Sequence, residues 1–190
     1  LGKDQVDIAL NTGPSLSNKP PEIHLIQAIP KGGNMELIVQ KAVELGITTI
    51  QPLITEHTIV RSEQMDKKLA KWQRIALEAC KQCGQNYLPT ILPVQKFSTW
   101  IEMRQSAELN LVAALLPTSL PLADVFSADL KLKSASFLIG PEGGFTEEED
   151  AAIAALPQAT PVSLGPRILR ADTAAVAAVS LWMAGRGDWN

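Results

Sequence analysis

Nowhere does the sequence run for ~20 apolar residues without interruption, so no membrane span is expected. Its opening, LGKDQVDIAL, has neither the basic nor the apolar stretch of a secretory leader, so no signal peptide is expected. That opening also lacks a methionine and reads like the end of an earlier strand, which suggests a piece of a longer protein. Cysteine is scarce. Cys80 and Cys83 are the only two, spaced as Cys-Lys-Gln-Cys. A redox pair of that spacing belongs at a helix N-terminus, where the dipole favours thiolate. This pair falls near the end of a long predicted helix, just before Gly84. No second Cys or His pair completes a zinc site, and no metal is expected. Reduced, structural thiols suit a cytoplasmic protein. Positive charge is not in excess either: 17 Lys and Arg stand against 20 Asp and Glu, a net charge of −3. That argues against wholesale coating of nucleic acid.

What is present is an ordinary globular composition, 46% hydrophobic over 190 residues, enough for one good core. Residues 11–21, rich in Pro, Ser, Asn and Gly, read as a loop or linker. Ile23–Ile29 reads as a strand, followed by a helix capped by Asn34 and ended by Gly46. ITTIQPLI is a second strand, and a long helix is expected from about Ser62 to Cys83. PTILPV is a short strand, and STWIEMRQSA a helix capped by Ser98. LNLVAALL, ASFLIG and TPVSLG are three further strands. Between the last two, Thr146 and Glu149 form a capping box for a short helix. The chain closes on an alanine-rich helix, ADTAAVAAVSLWMAG. Strands alternating with helices predict an α/β fold with a mostly parallel sheet covered on both faces. On the long helix, Lys67, Lys71, Arg74 and Lys81 form a stripe interrupted by Glu78. It is either a solvated face or a local basic surface.

Two junctions stand out. FLIGPEGGFTEEED passes from strand to helix through Gly140, Pro141, Glu142, Gly143 and Gly144. This is neither nucleotide-loop pattern, and four acids, Glu147 to Asp150, fill the first helical turn. Those acids satisfy the helix dipole themselves and repel a phosphate. The glycines allow positive φ and close approach by a neutral or cationic ligand; a tight turn without any ligand is the plain alternative. The second junction, VSLGPRILRADTA, ends a strand in Gly165-Pro166 and sets Arg167 and Arg170 ahead of the last helix. With Leu116-Pro117, three such ends can converge at the carboxyl edge of a parallel sheet, where ligands bind.

IGPEGGFTEEE followed by LGPRILRADTA resembles the RsmE family of SPOUT-class RNA methyltransferases. The likeness extends upstream through KGGNMELIVQKAVELGITTIQPL and covers about residues 22–187. It implies an S-adenosylmethionine-dependent enzyme that methylates N3 of a uridine in small-subunit ribosomal RNA. It further implies a catalytic domain over residues 21–190, a SPOUT-type sheet ending in a deep trefoil knot. Nothing in the periodicity hints at a knot, true knots being very rare. Family members carry an N-terminal RNA-binding domain of the PUA type, of which residues 1–20 would be the tail, so RNA affinity of this chain is expected to be weakened. The family is dimeric, with the site near the subunit interface. The small face Ala174, Ala177 and Ala178 suits packing there or on the sheet.

By the resemblance, three loops bind the cofactor: Leu115, Leu116 and Pro117; Ile139, Gly140, Pro141, Glu142, Gly143 and Gly144; and Leu164, Gly165, Pro166, Ile168, Leu169 and Arg170. RNA contacts are expected at Lys31, Arg61, Lys71, Arg74 and Arg167. Uridine N3 is a poor nucleophile until its proton is lost. Alignment with the methyl donor can contribute about 7–11 kcal/mol, and a positioned base about 10²–10⁴-fold. Arg170 is expected to hold the uracil anion or a phosphate, or else to pair with Asp172. Asp172 is the base, the group that orients Arg170, or an N-cap. The family usually reads L-R-T-E-T-A; here Ala171 lacks the hydroxyl and Asp172 is one methylene short. Where the family often has Arg, Gln85 stands. The rival expectations are a ribose 2′-O-methylating relative, a non-catalytic RNA-binding or ribosome-assembly module that keeps the loops as scaffold, and an ATP-binding α/β protein.

Overall fold

In the computed structural model, residues 22–59, 64–103, 109–113, 119–127, 134–156, 159–187 and 189 are described. The expected domain tail at 1–20, Arg61, and Leu115, Leu116 and Pro117 all lie outside them. The elements run β1 (Glu22–Ala28), α1 (Asn34–Glu44), β2 (Thr49–Ile54), α2 (Met65–Cys83), β3 (Thr90–Ile91), β4 (Gln95–Lys96) and α3 (Phe97–Met103). Then come β5 (Leu109–Ala113), β6 (Leu120–Pro121), α4 (Leu122–Ser127), β7 (Ser134–Ile139), α5 (Glu147–Ala154), β8 (Ala159–Ser163) and α6 (Ala171–Gly185).

One sheet results, in the order β3-β2-β1-β7-β5-β8-β6, with β4 also on β2. All pairings among the described residues are parallel. Parallel neighbours need crossover helices, and these cover both faces. One face carries the larger core, from α1, α2, α4 and α6; the other carries a smaller one, from α3 and α5. Central strands are therefore buried on both sides, and β7 has five consecutive buried residues, Ala135 to Ile139. In the larger core Trp182 of α6 meets Phe137 of β7 edge-on, ring centres 5.9 Å apart. Such a pair adds about 0.5–1.5 kcal/mol to its burial. The alanines of α6 let its backbone approach closely: Ala174, Ala175 and Ala178 are buried in this same core. Ala174 and Ala178 thus pack within the chain and are not a free face for a second copy.

Several boundaries differ from expectation. Asn34 is the first helical residue rather than the cap; Gly33 precedes it, accepting the Glu36 amide at 3.1 Å. Ser98 sits inside the first turn of α3, which already begins at Phe97. The long helix begins at Met65, and residues 60–63 lie outside the description. Of the run PTILPV only Thr90 and Ile91 form a strand, β3; β4 follows beyond the run, past Pro93, whose carbonyl accepts from Gln51 Nε2 at 2.9 Å. The short pieces β6 and α4 had no sequence signal. Other local rules hold. Gly84 closes α2 with φ +74°, and the Thr146–Glu149 capping box is complete. Cys80 is buried, Cys83 exposed, and the two are not joined; burial pushes the Cys80 thiol up.

Candidate functional site

The carboxyl ends of the central strands lie side by side. Ala113, last of β5, is opposite Val162 of β8, and Val112 is opposite Leu138 of β7. Above them opens a cavity of about 330 Å³. That is at the small end for ligand sites and fits a nucleoside-sized group. Its floor is apolar, from Ala113, Ile139, Val162, Leu164 and Ala174, and its walls are two loops. One is Gly140–Phe145, between β7 and α5; the other is Leu164–Arg170, between β8 and α6.

Of the residues expected at the cofactor, Ile139, Gly140, Pro141, Glu142 and Gly144 line the cavity from the first loop. Leu164, Ile168 and Leu169 line it from the second. Gly143, Gly165, Pro166 and Arg170 belong to the same loops without lining it. Arg167, expected to contact RNA, also lines it. Phe145, Asp150 and Ala171 line it too and were not among the residues expected at the cofactor. Phe145 was within reach of sequence reasoning, since it directly follows the glycine pair. Asp150 looked like one more acid of the helix start.

Backbone geometry explains the glycines. Gly144 takes φ +71° and Gly165 φ +115°, regions that L-residues rarely adopt. Gly165 is held by Ser163, whose Oγ accepts from the Gly165 amide and donates to its carbonyl, both at 3.2 Å. Gly140 is constrained by space: a Cβ there would stand 3.0 Å from the Phe145 ring. Phe145 in turn packs on Phe97 of α3, ring centres 5.9 Å apart.

The first loop is tied to its neighbours. The Lys31 amide donates to Glu142 Oε1 at 3.2 Å, joining the β1–α1 turn to the loop. The carboxylate of Glu142 is thereby turned toward that turn. The Glu56 amide donates to Glu149 Oε1 at 3.0 Å, and His57 Nδ1 lies 3.0 Å from the Gly144 carbonyl oxygen. Burial, helped by the neighbouring Glu149, holds the Asp150 carboxyl above its ordinary range. Hydrogen bonds from its own backbone and from Thr146 hold Glu148 below it.

Arg170 occupies the N-cap position of α6, and its exposed side chain reaches Asp172 Oδ1 at 3.5 Å. Asp172 is not the cap; it lies in the first turn, and its Oδ1 accepts from the Thr173 amide at 2.9 Å. The pair stands at the end of the second loop, with the Arg170 side chain exposed and that of Asp172 mostly covered. Among the other expected RNA contacts, Lys31 is exposed after β1, and Lys71 and Arg74 are exposed on α2. Lys71 forms an ion pair with Glu36, and Lys81 one with Glu78. Among the described residues, no group of three or more His, Cys, Asp or Glu is placed to hold a metal ion. Nor is any helix among them long and apolar enough to cross a membrane.

Comparison with known proteins places this geometry in context. Residues 17–183 match the RNA methyltransferase domain family. A Synechocystis protein, ribosomal RNA small subunit methyltransferase E, is 34% identical over 172 residues. The match covers 90% of this chain but 56% of that protein, less than two thirds of its length. A methyltransferase of Legionella pneumophila, solved with its cofactor SAM bound, is 38% identical with a TM-score of 0.79, covering 87% of this chain and 66% of that one. The ribosomal RNA small subunit methyltransferase E of Neisseria gonorrhoeae, solved with S-adenosyl methionine, is 36% identical, also at a TM-score of 0.79; 93% of this chain and 71% of that one are covered. The chain therefore belongs to the RNA methyltransferase domain family and, within it, to the ribosomal RNA small subunit methyltransferase E group.

Proposed function

We propose that this chain is the catalytic part of an S-adenosylmethionine-dependent methyltransferase acting on N3 of a uridine in small-subunit ribosomal RNA. The observation that carries the reading is the cavity between the Gly140–Phe145 and Leu164–Arg170 loops. It offers an apolar floor for a flat base, backbone groups at its walls, and glycines where a side chain would intrude. It suits a phosphate poorly, because Thr146 Oγ1 takes the Glu149 amide and four acids, Glu147 to Asp150, fill the first turn of α5. A neutral adenosine with a cationic sulfonium fits this donor set better than a nucleotide does.

When bound, S-adenosylmethionine supplies a methyl group on a positively charged sulfur, open to attack from the side opposite that sulfur. The chain's own residues supply the rest. Ile139, Leu164 and Leu169 exclude water from the cavity floor, and the two loops orient what lies between them. Arg170, exposed at the rim, holds the uracil anion left when N3 loses its proton. Asp172, 3.5 Å from Arg170 Nε, orients that guanidinium or takes the N3 proton. Lys31, Arg61, Lys71, Arg74 and Arg167 meet RNA phosphates, with Lys67 extending the exposed row on α2. Lys71 must leave Glu36 to do so, an exposed pair that costs little to break.

The proposal includes the deep trefoil knot. Its support is the path of the chain from β8 back across β5 to α6, which packs on β7 and α1. It also includes a homodimer, a cytoplasmic location, and residues 1–20 as the tail of a PUA-like RNA-binding domain ahead of a catalytic domain at 21–190. Incubation with small-subunit RNA and labelled cofactor, followed by nucleoside mass analysis, tests the substrate assignment. Methyl on the uracil base is expected; methyl on the ribose would overturn it.

A further inference from the structure

The loop that walls the cavity is held from outside by the segment that follows β2, residues 55–59. Two contacts do this, and neither residue lines the cavity. His57 Nδ1 lies 3.0 Å from Gly144 O. A carbonyl oxygen only accepts, so Nδ1 carries the proton and donates. The same imidazole packs on the back of the loop: a Cβ on Gly143 would come within 3.1 Å of the Cβ of His57. Glu149 makes the second contact with a divided carboxylate. Its Oε2 accepts from the Thr146 amide at 3.0 Å, closing the capping box, while Oε1 accepts from the Glu56 amide at 3.0 Å.

We propose that His57 and Glu149 are positioning residues for the cofactor loop. The Gly144 carbonyl belongs to the peptide plane that leads into Phe145. Fixing that plane fixes where the Phe145 ring enters the cavity wall and how it bears on Gly140. Glu149 fixes the other end of the same turn, where α5 begins. The loop is thus shaped before any ligand arrives, and the ordering cost at binding falls. The inference rests on the proposed cofactor for its affinity arm, but the loop itself can be read without one.

The test uses His57→Ala, His57→Asn and Glu149→Gln in the full chain. Asn can present an N–H near the position of Nδ1; Gln at 149 keeps one acceptor oxygen and loses the other. Amide hydrogen exchange of residues 140–146 is measured in cofactor-free protein, and S-adenosylmethionine affinity by calorimetry. His57→Ala and Glu149→Gln should speed exchange in that loop and weaken binding roughly two- to tenfold, the share of one net hydrogen bond. His57→Asn should restore both, and the thermal midpoints of the two His57 variants should stay close to wild type, since His57 is exposed. Unchanged exchange in His57→Ala would overturn the proposal, including the case where binding alone weakens, because that would make His57 a direct contact. Absence of S-adenosylmethionine binding by wild type would instead sink the function proposed above, leaving the exchange result to decide this one.

Discussion

Gly140→Ala is a small change whose effect can be worked from the cavity itself. A Cβ at this position meets Cε2 of Phe145 at 3.0 Å and its Cδ2 and Cζ at 3.4 Å. Gly140 has no positive φ, so the backbone accepts alanine and the whole effect is one of packing. The ring must yield by a few tenths of an ångström. On one side it has Phe97, on the other the cavity. Without a ligand it swings into the open space, and stability changes little. With the adenosine in place that space is filled, and the overpacking cost of about 1–3 kcal/mol falls on binding. Affinity for S-adenosylmethionine should then drop by roughly 5- to 150-fold. Calorimetric titration of Gly140→Ala, Phe145→Leu and the double variant measures this, with S-adenosylhomocysteine as competitor. The smaller ring-free side chain should relieve the alanine, giving a coupling of at least about 0.5 kcal/mol. Wild-type affinity in Gly140→Ala, or additive effects in the cycle, would refute the reasoning.

Three further outcomes are expected. Arg170→Ala should lower turnover by roughly 10²–10³-fold with an unchanged thermal midpoint, since the side chain is exposed and caps nothing; normal turnover would remove Arg170 from the site. Thr146→Ala should cost about 0.5–2 kcal/mol in urea unfolding by opening the capping box, and an unmoved midpoint would contradict that. His24 is half-buried on β1, and burial, opposed by Glu22, holds its imidazole below the ordinary value of 6.5. The unfolded chain therefore binds that proton more readily. The contribution is full above the ordinary value and is lost as pH falls through the lowered one. Thermal midpoints should drop from about pH 7 to about pH 5 more in wild type than in His24→Gln; equal drops would count against it.

How much of this was legible depends on the range of each interaction. The alternation of strands and helices is a local pattern, and it led to the parallel sheet. The capping box at Thr146 and the stop at Gly84 involve neighbours within one turn, and both are present. Asn34 and Ser98 failed as caps because a good capping residue does not choose where a turn begins. The preceding chain does, with Gly33 in one case and Phe97 in the other. The pieces β6 and α4 are too short to show a period. At the site, Gly-Pro at two strand ends was readable. The tether from His57 to Gly144 was not, because its partners stand 87 residues apart and one of them is a carbonyl. The place of Asp150 at the cavity also depends on the rotation of α5, which four successive acids conceal.

The most direct measurement is a crystal structure of this chain grown with S-adenosylmethionine. The account predicts adenosine density between Gly140–Phe145 and Leu164–Leu169, with the methyl directed toward Arg170. Density elsewhere on the molecule, or those two loops closed on each other with no room for a base, would contradict it.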